Sequence, residues 1–389
     1  MKTGTRSRLL LFGIMALLLF LPLVAAACAG AKPTPAPTPP PAATPTPAPT
    51  PVATPTPPPP PAVKPITIKV TSPFPATLPA VVAVKWWGDE LEKRSGGRLK
   101  FEYFWFGALT RAGEELEATE TGITQVSTLT FPYYPTKLPL GNFTYAVPFG
   151  PSDAKLLMKI VNEMYDTIPA LRAEVEKYNQ KYLFPLLINT YDLQSRKPVQ
   201  TLEDFKGLKV ASIGAYHPRW LAAIGAAPIA LPVAERFAAF QTGVLDANFL
   251  PLDVGVPYKY HDLFKNVTIT DMGAQYVWMI TINRDIWNRL PDDLRELMTS
   301  VAKEAVEKHA EAAAGDLAKA KDTLKAAGVT FYTLSPEEKD KWAKLLPDVP
   351  ADWARDNEAK GLPGWRIMDA FLAALDKAGY KFPRKWGVR

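Results

Sequence analysis

The chain has 389 residues, with 45 Lys and Arg against 39 Asp and Glu, three His and one Cys. Half of the net charge of +6 comes from Lys2, Arg6 and Arg8 at the very start, and no basic cluster follows, so nothing argues for a nucleic-acid partner. A single cysteine excludes a disulfide framework; an exported chain of this kind must hold its fold by burial, and its length allows a large core.

Residues 9–24 are almost wholly apolar and uncharged behind that basic start, which is the layout of a secretory signal. Ala25, Ala26 and Ala27 lead into Cys28, and this junction resembles the lipobox of bacterial lipoproteins. Cleavage before Cys28 would leave it as a lipidated first residue; the alternatives are a free thiol in an ordinary signal or a retained anchor. The apolar run falls short of the roughly 20 residues a spanning helix needs. From residue 32 to 65, 17 of 34 residues are proline, interleaved with Thr and Ala. No backbone ladder can form there, so the stretch is predicted to be an extended stalk.

The remainder alternates strand and helix. Residues 66–71, ITIKVT, alternate as a strand does, and 78–97 follow with helical periodicity and a closing glycine pair. Strand, helix and strand then follow at 99–105, GEELEATETG and 123–129. Helices are expected around 152–180, a buried strand at 182–190, a second α/β region from 208–212, a long strand at 274–283 and a long helix over 291–328. The order βαβα predicts an α/β fold with largely parallel sheets, and two such regions joined by crossing segments predict two lobes around a cleft. No internal repeat is evident.

Enzymatic constellations are sparse. His217, His261 and His309 are far apart and lack metal-ligand spacing, and there is no nucleophile elbow, phosphate loop or dinucleotide fingerprint. The expectation is therefore no catalytic residue, no metal and no cofactor. Glu114 and Glu115 read as a solvated helix face.

Residues 204–251 carry something more specific. Asp204, the run from Gly207 to Val210, Gly225, Pro228, Glu235, QTGVLDA at 241–247 and Pro251 resemble the solute receptors of tripartite ATP-independent (TRAP) transporters, in which an exported protein hands a small organic acid to membrane subunits. Residues 86–104 and 283–298 resemble the same family in the right order. The resemblance implies a two-lobed periplasmic-binding-protein-like fold with a central ligand cleft and a long C-terminal helix, spanning 66–346, with 347–389 as a helical segment packed on the lobes. Most of these motif residues have architectural work: Gly207 and Gly243 suit tight turns, Pro232 and Glu235 suit a helix start, and Asp204 suits a turn brace.

Two positions depart from the family. After GLK it usually has an apolar residue and then an arginine that would pair with a ligand carboxylate; here Ala211 stands at that place. The asparagine often found before the proline corresponding to Pro251 is here Leu250. The loop after 182–190, where some relatives carry another arginine, has Tyr191. Aromatics at strand ends are the candidate lining: Phe74, Trp105, Tyr133, Tyr134, Phe249 and Trp278, each with core packing as its alternative. Arg111, Arg196 and Arg219 are candidate substitute cations, each with a surface role as its alternative.

The organisation expected is thus a signal over 1–27, a lipidated Cys28 and linker over 28–65, the two-lobed domain over 66–346 and a C-terminal segment over 347–389. The function expected is an extracytoplasmic, lipid-anchored, monomeric receptor that binds a small organic ligand other than a simple C4-dicarboxylate and delivers it to a permease. A receptor for another transporter or a membrane sensor, or an exported enzyme on the same scaffold, are the alternatives.

Overall fold

The computed structural model describes residues 64–389, so the signal, Cys28 and nearly all of the proline-rich stretch lie outside the described residues. The strands run in chain order: β1 (Ile66–Thr71), β2 (Leu99–Phe104), β3 (Val126–Thr130), β4 (Gln180–Ile188), β5 (Asp192–Ser195), β6 (Lys209–Ser212), β7 (Ala227–Ala230), β8 (Ala247–Leu250), β9 (Asn266–Ile269), β10 (Gln275–Asn283) and β11 (Thr330–Thr333). They form two sheets, β2-β1-β3-β10-β4 in lobe one and β11-β9-β5-β8-β6-β7 in lobe two.

The sheets are mixed, which departs from the largely parallel expectation. β1 runs parallel to β2 and β3, β6 to β7 and β8, and β9 to β11. β10 and β5, in contrast, run antiparallel to both of their neighbours. The reason is the crossing. Residues 189–191 carry the chain from lobe one to lobe two and 270–274 carry it back, so β5 and β10 enter at the cleft and must run away from it, while the parallel strands end there.

Helices follow the expected signals. Pro79–Arg94 has proline at its start, Lys93 and Arg94 in its last turn, and Gly96 and Gly97 at positive φ just beyond. It lays Val84, Trp87 and Leu91 on the first sheet, all fully buried. The helix Asp292–Ala326 is 35 residues long, about 50 Å at 1.5 Å per residue. It spans both lobes: its Met298 carbonyl accepts from Trp87 Nε1 at 3.3 Å, and its Ala313 carbonyl from Asn189 Nδ2 at 3.0 Å.

Two indoles, one just before the C-terminal segment and one within it, touch opposite lobes. Trp353 Nε1 donates to the Pro139 carbonyl at 3.1 Å on lobe one, and Trp342 Nε1 to the Trp220 carbonyl at 3.0 Å on lobe two. The architectural motif residues sit as their types require. Gly207 and Gly243 take φ of +73° and +72°, and Asp204 Oδ2 accepts the Gln200 and Thr201 backbone N–H groups in a capping box.

Candidate functional site: an aromatic cleft with a buried arginine

The carboxyl ends of the parallel strands in both lobes converge, the usual place for a ligand in open α/β sheets. Lobe two contributes the ends of β6 and β8 and the segment 231–236; lobe one contributes the loops after β1 and β3. The lobes are in close approach: a Cβ added at Gly214, just after β6, would lie 3.2 Å from Pro132 Cβ, just after β3.

A cleft of about 550 Å³ opens beside this contact, lined by Phe74, Arg111 and Tyr133 from lobe one and Pro232, Glu235 and Tyr258 from lobe two. That lies within the range of roughly 300–1,000 Å³ typical of small-molecule sites. Phe74 packs edge-on against Trp278 at 5.0 Å. Deeper in, the His217 ring stacks on Tyr145 at 4.5 Å and meets Tyr191 edge-on at 4.4 Å, with Phe249 5.3 Å from both His217 and Tyr191. The Tyr145 and Tyr191 hydroxyls bond one another.

Several buried polar atoms in this region have no protein partner: Tyr133 OH, Tyr258 OH, Ser212 Oγ, Trp278 Nε1 and both ring nitrogens of His217. Unpartnered buried polar groups are costly, and these are free to bond the polar groups of a ligand. His217 is held neutral: burial first, and then a nearby guanidinium, push it well below its ordinary value. No described residue bonds its ring, so nothing fixes the tautomer as a general base would need.

That guanidinium belongs to Arg236, fully buried at the start of the helix Arg236–Gln241. Its Nε donates to the Leu231 carbonyl at 2.9 Å, one terminal nitrogen to Asn248 Oδ1 at 2.7 Å, and the other to the Ser212 carbonyl at 2.9 Å. All three acceptors are neutral. Its positive charge opposes the upward push of burial on the hydroxyls of Tyr133, Tyr258 and Tyr191.

The sequence candidates divide by place. Phe74, Tyr133 and Arg111 line the cleft, and Trp278 backs it through Phe74. Arg111 is exposed at the cleft, its side chain in no hydrogen bond or ion pair with a described residue, while its backbone N–H donates to Glu114. Tyr191, Phe249, Ala211 and Leu250 are all buried, the first two in the aromatic cluster and the last two on β6 and beside Gln194, whose Nε2 donates to the Leu250 carbonyl at 3.0 Å.

Four candidates are engaged elsewhere. Trp105 stacks on Tyr103 at 5.0 Å, and Tyr103 OH donates to the Lys85 carbonyl on the helix side of the sheet. Tyr134 OH donates to Glu115 Oε2 at 2.8 Å and accepts from the Leu116 N–H, bracing the helix Glu115–Glu120; Glu115 is buried, not solvated as its sequence suggests, and burial pushes it up to about 7. Arg196 stands beyond the far end of β5 and donates to the Phe240 carbonyl. Arg219 pairs with Asp352 of the helix Val349–Glu358. The proline-bounded loop and strand-end positions identified some of the lining, but no local signal separated cleft arginines from structural ones.

The family model described as bacterial extracellular solute-binding protein, family 7, matches residues 72–356. Among curated proteins, the chain is 25% identical to the C4-dicarboxylate-binding periplasmic protein DctP of Rhodobacter capsulatus, over 75% of this chain and 87% of that protein. It is 27% identical to the 2,3-diketo-L-gulonate-binding periplasmic protein YiaO of Escherichia coli, over 72% and 84%. Among solved structures it is similar to a marine metagenome TRAP solute binding protein specific for aromatic acid ligands, with a TM-score of 0.73 at 20% identity, covering 80% of this chain and 99% of that one. A TRAP solute binding protein from Rhodoferax ferrireducens, in complex with copurified benzoate, gives 0.73 at 21% identity over 81% and 98%. The matched region takes in every strand of the two sheets except β1, both crossings and the long helix, and the chain belongs to the bacterial extracellular solute-binding protein family 7.

Proposed function

We propose that this protein is the extracytoplasmic receptor of a TRAP-type transporter, working as a monomer, and that it captures a small ligand with a bulky, largely apolar body and passes it unchanged to membrane subunits. The observation that carries the ligand class is the pair Ala211 and Leu250, both buried and apolar where the family usually places an arginine and an asparagine, beside a cluster of Tyr, His and Phe rings. A C4-dicarboxylate enclosed there would need both charges paired, and an unpaired buried carboxylate is very costly. Relatives of the same fold whose ligands are aromatic acids, benzoate or pyroglutamate make the reading concrete.

A thermal-shift panel tests it. Benzoate, 3-hydroxyphenylacetate, pyroglutamate and neutral compounds of similar size are set against succinate, malate and fumarate. A ligand at 100 times its dissociation constant adds about 2.7 kcal/mol of stability, so a member of the first group is expected to raise the midpoint by several degrees and to be recovered unchanged after long incubation. Stabilisation confined to the C4-dicarboxylates would overturn the ligand class, and protein-dependent conversion of the bound compound would favour the enzyme alternative.

The lipid anchor belongs to the same proposal. Among the described residues no helix is long and apolar enough to cross a membrane, and Cys28 stands directly after three alanines. Cys28→Ser is expected to move the protein from the membrane fraction to the soluble one. Unchanged membrane retention with the signal still attached would assign the anchoring to the apolar segment instead.

A further inference from the structure

We infer that Arg236 is the ligand's anion anchor, a cation supplied from the helix after β7 in place of one on β6, and that the ligand is a monocarboxylate whose acid end docks on lobe two and whose other end is read by lobe one. The inference rests on the receptor reading above and narrows it.

The first ground is an uncompensated charge. Arg236 is fully buried, yet all three groups it bonds, the Leu231 and Ser212 carbonyls and the Asn248 amide oxygen, are neutral. A guanidinium has five N–H donors, and these bonds leave donors free. A buried ion without a counter-ion is expensive unless a partner arrives, and Pro232, Ala234 and Glu235, directly before Arg236 in the chain, line the cleft.

The second ground is what surrounds it. Ser212 Oγ is buried without a partner on the residue whose carbonyl Arg236 holds. Tyr133 OH and Tyr258 OH are buried, unpartnered and within the reach of the Arg236 charge, and both residues line the cleft. Arg236 and Ser212 together offer N–H and O–H donors to one carboxylate, which accepts bidentately from a planar fork. Tyr133, from the opposite lobe, offers a donor to an acceptor group at the ligand's far end. A ligand with both features would stabilise the closed arrangement by bonding each lobe.

The third ground is elimination within the chain. Arg196 and Arg219, the other candidate cations, lie away from the cleft and are spent on the Phe240 carbonyl and Asp352. Arg111 is exposed at the cleft mouth, where water screens it and an anion gains far less.

The experiment compares phenylacetate with its neutral isostere phenylacetamide on the full chain, by calorimetric titration and thermal shift, in the parent protein, Arg236→Met and Arg236→Lys, with Arg196→Ala as a control. The expected result is that the acid binds the parent at least 100-fold more tightly than the amide. Arg236→Met should abolish that preference, Arg236→Lys should keep the preference with at least tenfold weaker binding, and Arg196→Ala should change nothing. If Arg236→Met fails to fold, the acid–amide ratio in the parent and the Lys variant carries the decision. Equal binding of acid and amide in the parent, or an acid preference that survives in Arg236→Met, would overturn the anchor while leaving the receptor reading intact. No response of the parent to either probe or to any compound of the earlier panel would overturn both.

Discussion

Gly273→Ala is expected to lower the unfolding midpoint by about 8 °C, a loss of about 4 kcal/mol, where Gly243→Ala loses only about 1–2 kcal/mol. Both glycines have positive φ, +99° and +72°, so both substitutions carry backbone strain. What separates them is space. A Cβ at Gly243 meets nothing within 4 Å, whereas one at Gly273 would lie 2.5 Å from the Gly150 carbonyl oxygen and 2.8 Å from its Cα. The neighbour is backbone and cannot rotate away. It is also pinned: the Gly150 N–H donates to the Met272 carbonyl at 3.2 Å, Ala274 N–H to the Pro151 carbonyl at 2.9 Å, and Gly273 N–H to Thr190 Oγ1 at 3.0 Å. Relief would therefore break the bonds that tie the returning crossing, 270–274, to the outgoing one and to lobe one. Chemical and thermal unfolding of the two variants measures the contrast, and equal losses would show that crowding at the crossing plays no part. Because total stabilities are about 5–15 kcal/mol, the variant should also populate opened states that the parent does not.

Helices were the most legible part of this chain, because their signals are local. Pro79 and the Gly96–Gly97 pair bound one helix, and Pro291 with Asp292 and Asp293 opens the long one at Asp292. Strand β1 was equally plain from its alternation. Strand direction was not, since whether β5 and β10 run with or against their neighbours depends on which lobe the chain has just left, and no residue inside either strand records that. The cleft was half legible. Ala211 and Leu250 stand where the resemblance implies polar contacts, but Arg236 lies beside exposed Glu235 in a segment that reads as a helix start. What buries Arg236 is long-range register, the pairing of Ala211 on β6 with Asn248 on β8, and sequence periodicity holds no trace of it.

That pairing leads to the largest expected effect of a single substitution. Residues directly opposite in neighbouring strands point to the same face, so the Ala211 methyl lies beside Asn248, whose Oδ1 accepts from Arg236. The next residue along, Ser212, gives Arg236 its carbonyl. A small side chain at 211 thus leaves room for the guanidinium, and an arginine at 211 would compete with Arg236 for the same space. Ala211→Arg should therefore be severely destabilising. It forces a long side chain into a fully buried position, at about 1–3 kcal/mol for overpacking alone. It also sets two cations side by side, which at about 4 Å and an effective dielectric of 20 costs about 4 kcal/mol more. Arg236→Leu alone should be mildly destabilising, since it removes a costly charge but takes the guanidinium donor from the Asn248 oxygen and the Leu231 carbonyl. In the double variant the new arginine can take over those acceptors, so a double-mutant cycle in urea should show a favourable coupling of at least about 2 kcal/mol. Additive losses would mean that residues 211 and 236 do not share one space, and the absence of an arginine on β6 would then need a different explanation from the presence of one at 236.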